Sequence, residues 1–362
     1  DFTQQEQTFV FTSIAENPIP SLFRGFSAPI KLVMDRSNED LAFLMAHDSD
    51  SFNRWDAGQE LAMRLLLDLT AQAAAGETLA LDDLFVDAMR QVVTDDTLDG
   101  SLKSLALGLP SAMVISQHLV VVDPDAVHAA LEFVIREIAS ALQAEFATIY
   151  AALNTGAPYS SDKESIDGRR LKNTALGYLT ALEQTETNRL AAEQFAAADN
   201  MTDAQSALFC LVELDCSEKQ EALDAFYEKW KNEPLVMDKW FSVQALSSRE
   251  DTLQRVQELA KLADFTLENP NRVRALLGAF CRQNQVRFHQ ADGAGYEFIT
   301  DKILELDRRN PQVAANLVAC FNQWKSFDGD RQALMKTQLE RIAATEAVSK
   351  DVGEIVGRSL AN

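Results

Sequence analysis

The histidines of this chain, His47, His118, His128 and His289, are the natural starting point for chemistry, because imidazole binds metals and moves protons near neutral pH. Zinc hydrolysis on a helix needs HExxH, which sets two imidazoles on one face beside a glutamate base. No such run occurs. His128 and Glu132 stand one helical turn apart and offer only two ligand types, so they read as a surface or core pair. Asp95-x-Thr97-x-Asp99-Gly100 imitates the start of a calcium loop, but the last position of that loop, which must supply a bidentate carboxylate, falls on Ala106. A polar turn explains it better. Ser160 and Lys163 have the spacing of a serine/lysine nucleophile pair, yet they lie in the hydrophilic stretch Tyr159 to Ser165, where the lysine stays solvated and protonated. Gly293-Ala294-Gly295 is too short a match for a phosphate-binding loop. The residues alone show no catalytic constellation.

The most unusual local chemistry is Asn269-Pro270-Asn271-Arg272-Val273-Arg274. It places two guanidiniums in the first turn or so of a helix, where the macrodipole disfavours cations. They either pair with neighbouring carboxylates or face a cavity and meet an anionic or carbonyl group. Val236-Met237-Asp238-Lys239-Trp240-Phe241, just after Pro234, reads as core packing around a tryptophan.

The elements that position these residues are helices. From about Asn38 onward apolar residues recur at helical spacing with cap signals between runs. Asp123-Pro124 is an N-cap before an N1 proline, and Val127, Leu131, Val134, Ile138, Leu142, Phe146 and Ile149 follow as one long one-faced helix. Ser217 with Gln220 makes a capping-box pattern, and Asp251 caps the run Leu253, Val256, Leu259, Leu262. Asn269-Pro270 and Asn310-Pro311 are matching cap-plus-proline starts 41 residues apart, within the period of HEAT-like helix pairs. Stacked antiparallel pairs predict a superhelical α-solenoid with a concave face.

The first 36 residues differ. Thr8-Phe9-Val10-Phe11 and Ser27-Ala28-Pro29-Ile30-Lys31-Leu32-Val33 read as strands, and Pro18 and Pro20 separate them. Two strands cannot close a sheet, so they are expected to finish a sandwich whose other strands lie upstream of Asp1. That organisation predicts a short N-terminal β segment over 1–36 and a helical C-terminal domain over 37–362.

Composition narrows the partners. Lys plus Arg number 33 against 55 Asp plus Glu, a formal net charge of −22, which repels phosphate backbones and anionic lipid. Nucleic acid and membrane surfaces are excluded as expected partners. No stretch approaches the roughly 20 apolar residues that span a bilayer, and the N-terminus has no signal pattern. The chain reads as soluble. Cys210, Cys216, Cys281 and Cys320 sit in apolar helical surroundings without CxxC spacing, which favours reduced thiols and a cytoplasmic setting.

Several segments resemble, in order, the C-terminal region of bacterial aminopeptidase N enzymes of the M1 zinc-peptidase family. They are Phe52-Asn53-Arg54-Trp55-Asp56-Ala57, Asn200-Met201-Thr202-Asp203-Ala204, Val236 to Phe241, Asn269 to Phe280 and Arg309-Asn310-Pro311-Gln312-Val313-Ala314. Phe26 to Leu32 is similar to the end of that family's β-sandwich domain. The resemblance implies a multidomain enzyme in which one zinc, held by an upstream catalytic domain, activates water against the first peptide bond of a substrate anchored by its N-terminus. This chain would carry no cofactor and no catalytic residue, and would be inactive alone. It would close and shape the active-site chamber, with the upstream domains of the same polypeptide and peptide substrates as partners. Chamber-facing residues of the family correspond to Arg274, Gln312 and Asn316, with Asn271 and Arg272 added. Asn316 departs from the arginine the family carries there. A free-standing α-solenoid scaffold binding a partner protein on its concave face is the alternative function.

Overall fold

The computed structural model describes residues 3–361, so the ends of the expected 1–36 and 37–362 segments at Asp1, Phe2 and Asn362 fall outside the described residues. From Asn38 to Ala361 the chain is a succession of α-helices joined by short turns, a mainly α solenoid as expected. The helices start where side chains can satisfy their first free N–H groups. The Ser37 hydroxyl accepts from the Asp40 N–H while the Asp40 carboxylate accepts from the Ser37 N–H, a complete capping box. Asp123, Asn269 and Asn310 each accept from the first turn ahead of an N1 proline. Successive helices pack against each other through a continuous apolar stripe that includes Leu41, Leu66, Val127, Phe146, Leu176, Leu211, Phe241, Leu276, Phe288, Ile303, Leu317 and Leu339, all buried.

Several local expectations are corrected. The long helix after Asp123 is two helices, Pro124–Ala141 and Gln143–Leu153, because Leu142 adopts φ −116° and ψ 18°. The Ala141 carbonyl opened by that kink accepts from Arg90, which also pairs with Glu145 beyond the break. Ser217 makes no capping box: Cys216 occupies the cap position without a side-chain bond, and the Ser217 hydroxyl turns to Glu218. Asp251 stands at its cap position but gives no cap bond.

The two N-terminal strands do not form among the described residues. Val10, Phe11 and Val33 stand 80, 79 and 87% exposed. A strand needs a ladder of N–H and C=O bonds to a neighbouring strand, and no such ladder is present at these runs among the described residues. The segment is moored at several points, among them Asn53 to Ser21 and Leu22, Phe26 against Phe52, and Arg36 to Glu60. Gly25, at φ 65°, donates its N–H to Asp50, and Arg24 reaches Asp48 and Ser49 at 3.0 and 2.7 Å.

The helical path returns on itself. Arg331, 6% exposed, donates to the His289 carbonyl, to Asp328 and to Asp125, a residue 206 positions earlier. Alongside it the Val122 N–H donates to the Ser326 carbonyl at 2.7 Å, and Ser116 bonds Gln285 at 3.1 Å. Under this clasp His289 is buried flat against Phe327, centroids 4.2 Å apart, with Nδ1 2.8 Å from the Tyr296 hydroxyl.

Candidate functional site

Inside the closed path lies a cavity of about 940 Å³ between the Pro124–Ala141, Lys163–Thr180 and Met201–Glu213 helices and the turn Ser248 to Asp251. Its acidic and basic lining comprises His128, Glu132, Arg136, Glu183, Glu213, Arg249, Glu250, Asp251 and Arg287. Burial pushes the Glu132 carboxyl up, and Arg136 opposes that. Burial likewise pushes Glu213 up, against bonds from the Ser248 N–H and hydroxyl, the latter 2.7 Å away. His128 is pushed down, first by burial and then by Arg287. His128 and Glu132, read from the sequence as a surface or core pair, thus both line this cavity. Glu213 carried a signal that sequence reading passed over, a carboxylate within the apolar run Leu211-Val212-Glu213-Leu214.

The motifs weighed for chemistry resolve into structure. Asp95 is a polar turn: bonds from Thr97 and Arg54 outweigh desolvation and hold its carboxyl down to about 2. Lys163 bonds Asp167 and Asp99, which raises its pKa and keeps it charged, unfit as a base for Ser160. At Gly295 an added Cβ would lie 2.5 Å from the Phe288 carbonyl oxygen, so glycine there serves a close backbone approach. Trp240 is buried and donates to the Leu223 carbonyl at 2.9 Å. Among the described residues no three His, Cys, Asp or Glu side chains gather as a metal site, so these residues do not fit a zinc ion.

The two guanidiniums of the Asn269 segment part company. Arg272 is buried: it bonds Asp238 at 2.8 Å and the Asp264 carbonyl at 3.0 Å, and it lies 4.6 Å over the Phe241 ring. Arg274 is exposed, and among the described residues its guanidinium bonds only the neutral Asn271 amide, at 2.8 Å. Gln312 and Asn316 are exposed one turn apart on the Pro311–Val318 helix, where the Asn316 amide donates to the Gln312 carbonyl at 3.1 Å. Arg282, which sequence reading did not single out, donates to the Asn316 carbonyl from the neighbouring helix.

A family model described as a domain of unknown function with ARM repeats (DUF3458_C) matches residues 38–361. The chain belongs to the DUF3458_C family. A second model, described as a DUF3458 domain with an Ig-like fold, matches residues 1–35. The DUF3458_C chain is 37% identical over 359 residues to aminopeptidase N of Escherichia coli, covering 99% of this chain and 41% of that protein. It is also 37% identical to aminopeptidase N of Caulobacter vibrioides, with the same coverage. Among solved structures, Legionella pneumophila aminopeptidase A in complex with aspartic acid superposes with a TM-score of 0.85 at 32% identity, over 97% of this chain and 42% of that one. The resemblance to the C-terminal region of aminopeptidase N stands, and this chain spans about two fifths of the length of the relatives it matches.

Proposed function

We propose that this chain is the helical C-terminal part of a zinc-dependent aminopeptidase that removes N-terminal residues from peptides in the cytoplasm, and that it closes and shapes the chamber without catalysing. In this reading residues 1–36 are the tail of a β-sandwich domain and 37–362 the helical domain. The zinc belongs to a part of the relatives that this chain does not cover. The observation that carries the reading is the 37% identity to aminopeptidase N over 99% of the chain. Arg274, Gln312, Asn316 and Asn271 are the chamber-lining residues, since all are exposed and polar and Arg274 keeps its guanidinium clear of carboxylates. Arg272, engaged inside the domain, supports that wall from behind.

The test uses the full-length protein. It should release N-terminal residues from peptides in a zinc-dependent way, and Arg274→Ala should raise KM for tripeptides about tenfold more than for single-residue amides, the loss expected for a charge-assisted hydrogen bond. Equal effects on both substrates remove Arg274 from the chamber wall. No peptide turnover by the full-length protein overturns the whole reading.

A further inference from the structure

Three side chains of the Pro124–Ala141 helix, His128, Glu132 and Arg136, recur at four-residue steps and so form one stripe along the wall of the cavity of about 940 Å³. Their partners divide that stripe. Arg136 is answered by Glu183 at 2.5 Å, and elsewhere on the wall Arg249 lies 3.6 and 3.7 Å from Asp215 and Asp251. His128 and Glu132 make no hydrogen bond and no ion pair among the described residues; what acts on them is burial and the charges of their neighbours. Arg287 spends its Nε on the Ser248 carbonyl and forms no ion pair among the described residues, so its two terminal nitrogens keep their donors.

These unspent groups are sorted by charge. Arg287 stands beside His128 and adds to the burial that pushes its imidazole down, so this end offers guanidinium and neutral imidazole donors. Asp125 acts on His128 in the opposite sense, but its carboxylate is held by Arg331. One turn on, about 6 Å along the helix, Glu132 acts across the cavity on Glu213 and adds to the burial that pushes that carboxyl up. Burial is also the first cause that pushes Glu132 up. A positive group between the two would restore their charged forms. Ile135, Phe209 and Leu214 supply apolar wall beside them.

We infer that this cavity binds a free α-amino acid with an apolar side chain, its carboxylate on Arg287 and His128, its ammonium on Glu132 and Glu213, and its side chain against Ile135, Phe209 and Leu214. A zwitterion fits where a single charge does not. A simple cation meets the repulsion of Arg287, and a simple anion that of the two carboxylates. The positive and negative ends lie one helical turn apart, which suits the adjacent charges of one amino acid, whereas an extended tripeptide separates its termini by about 10 Å. A metal ion is a poor occupant, since no three ligating side chains gather there among the described residues. The site draws on the cavity alone and not on the peptidase reading.

Titration calorimetry of the full-length protein with leucine tests the site. The wild type should bind one leucine per chain more than Glu132→Gln, a variant that breaks no internal bond and should melt with the wild type. Arg287→Met should lose the same increment. Any leucine held at a catalytic centre elsewhere is common to all three and cancels. Isoamylamine and isocaproate, which each keep one of leucine's charges, should bind this cavity at least about tenfold more weakly. Equal stoichiometry in the wild type and Glu132→Gln, full binding by Arg287→Met, or either single-charge analogue binding there as tightly as leucine overturns the inference. Peptide hydrolysis by the same samples is read separately: its absence removes the peptidase reading and leaves the amino-acid site standing.

Discussion

Arg272→Ala should be a stability mutation and Arg274→Ala should not, although the two residues are separated by a single valine. The Arg272 side chain is 7% exposed and its partner Asp238 is 16% exposed, at 2.8 Å. Truncation removes that pair, two bonds to the Asp264 and Pro234 carbonyls and the contact with the Phe241 face. Breaking one side of a buried ion pair costs about 3–5 kcal/mol, mainly because the partner charge is left uncompensated. At about 2.1 cal/mol/K per residue the melting entropy of the 362-residue chain is about 0.76 kcal/mol/K, so about 4 kcal/mol lowers the melting temperature by about 5 °C. Arg274, exposed and bonded to one amide, should move it by less than about 1 °C. Scanning calorimetry of the single variants measures the contrast. The double variant Arg272→Met with Asp238→Leu should recover part of the loss, since no charge is then stranded. Equal melting of Arg272→Ala and the wild type would refute the assignment of Arg272 to the domain interior.

Two further outcomes follow from burial. His289 is held down to about 3 from an ordinary 6.5, first by burial and then by Arg331, so the native imidazole refuses a proton that the unfolded chain accepts. Its contribution to stability is complete above 6.5 and is lost as pH falls from 6.5 to 3, at up to about 1.4 kcal/mol per pH unit; urea unfolding at a series of pH values should show this slope, and His289→Phe should flatten it. Gly295→Ala puts a methyl 2.5 Å from the Phe288 carbonyl oxygen and should destabilise by about 1–3 kcal/mol, whereas Gly357→Ala, in the last helix with open space around it, should stabilise by about 0.5–1 kcal/mol. Urea midpoints that rank these glycine variants the other way round would contradict the packing at Phe288.

What the sequence disclosed and what it withheld divide along the range of the interactions involved. Asp123-Pro124, Asn269-Pro270 and Asn310-Pro311 announce helix starts because a cap bonds an N–H within the next three residues. The kink at Leu142 is not announced, since the carbonyl it opens is satisfied by Arg90, some fifty positions back. Arg272 and Arg274 look alike in sequence, and their fates are decided by Asp238, 34 residues away, and by a π turn over Arg274–Gly278 that apolar spacing does not reveal. Arg282 went unnoticed for the same reason. Its link to Asn316 exists only once the two helices are stacked. Thr8 to Phe11 and Ser27 to Val33 have strand composition, but composition cannot supply the neighbouring strand that makes a ladder.

The clasp of Arg331 on Asp125 also sets an order of events in folding. In an open solenoid each repeat touches only its neighbours, so structure can nucleate anywhere and fray from either end. Joining residues 206 positions apart in an unfolded chain would cost about 5 kcal/mol of loop-closure entropy before any contact repaid it. The intervening helices must therefore stack first and carry the two ends together, which makes closure a late step, with Arg331, His289 and Phe327 contributing little to the folding transition state. In reverse, the clasp is the first barrier to unzipping. It slows unfolding far more than it speeds folding, and so lends a chain of neighbour-only contacts a kinetic persistence that stacking alone would not provide.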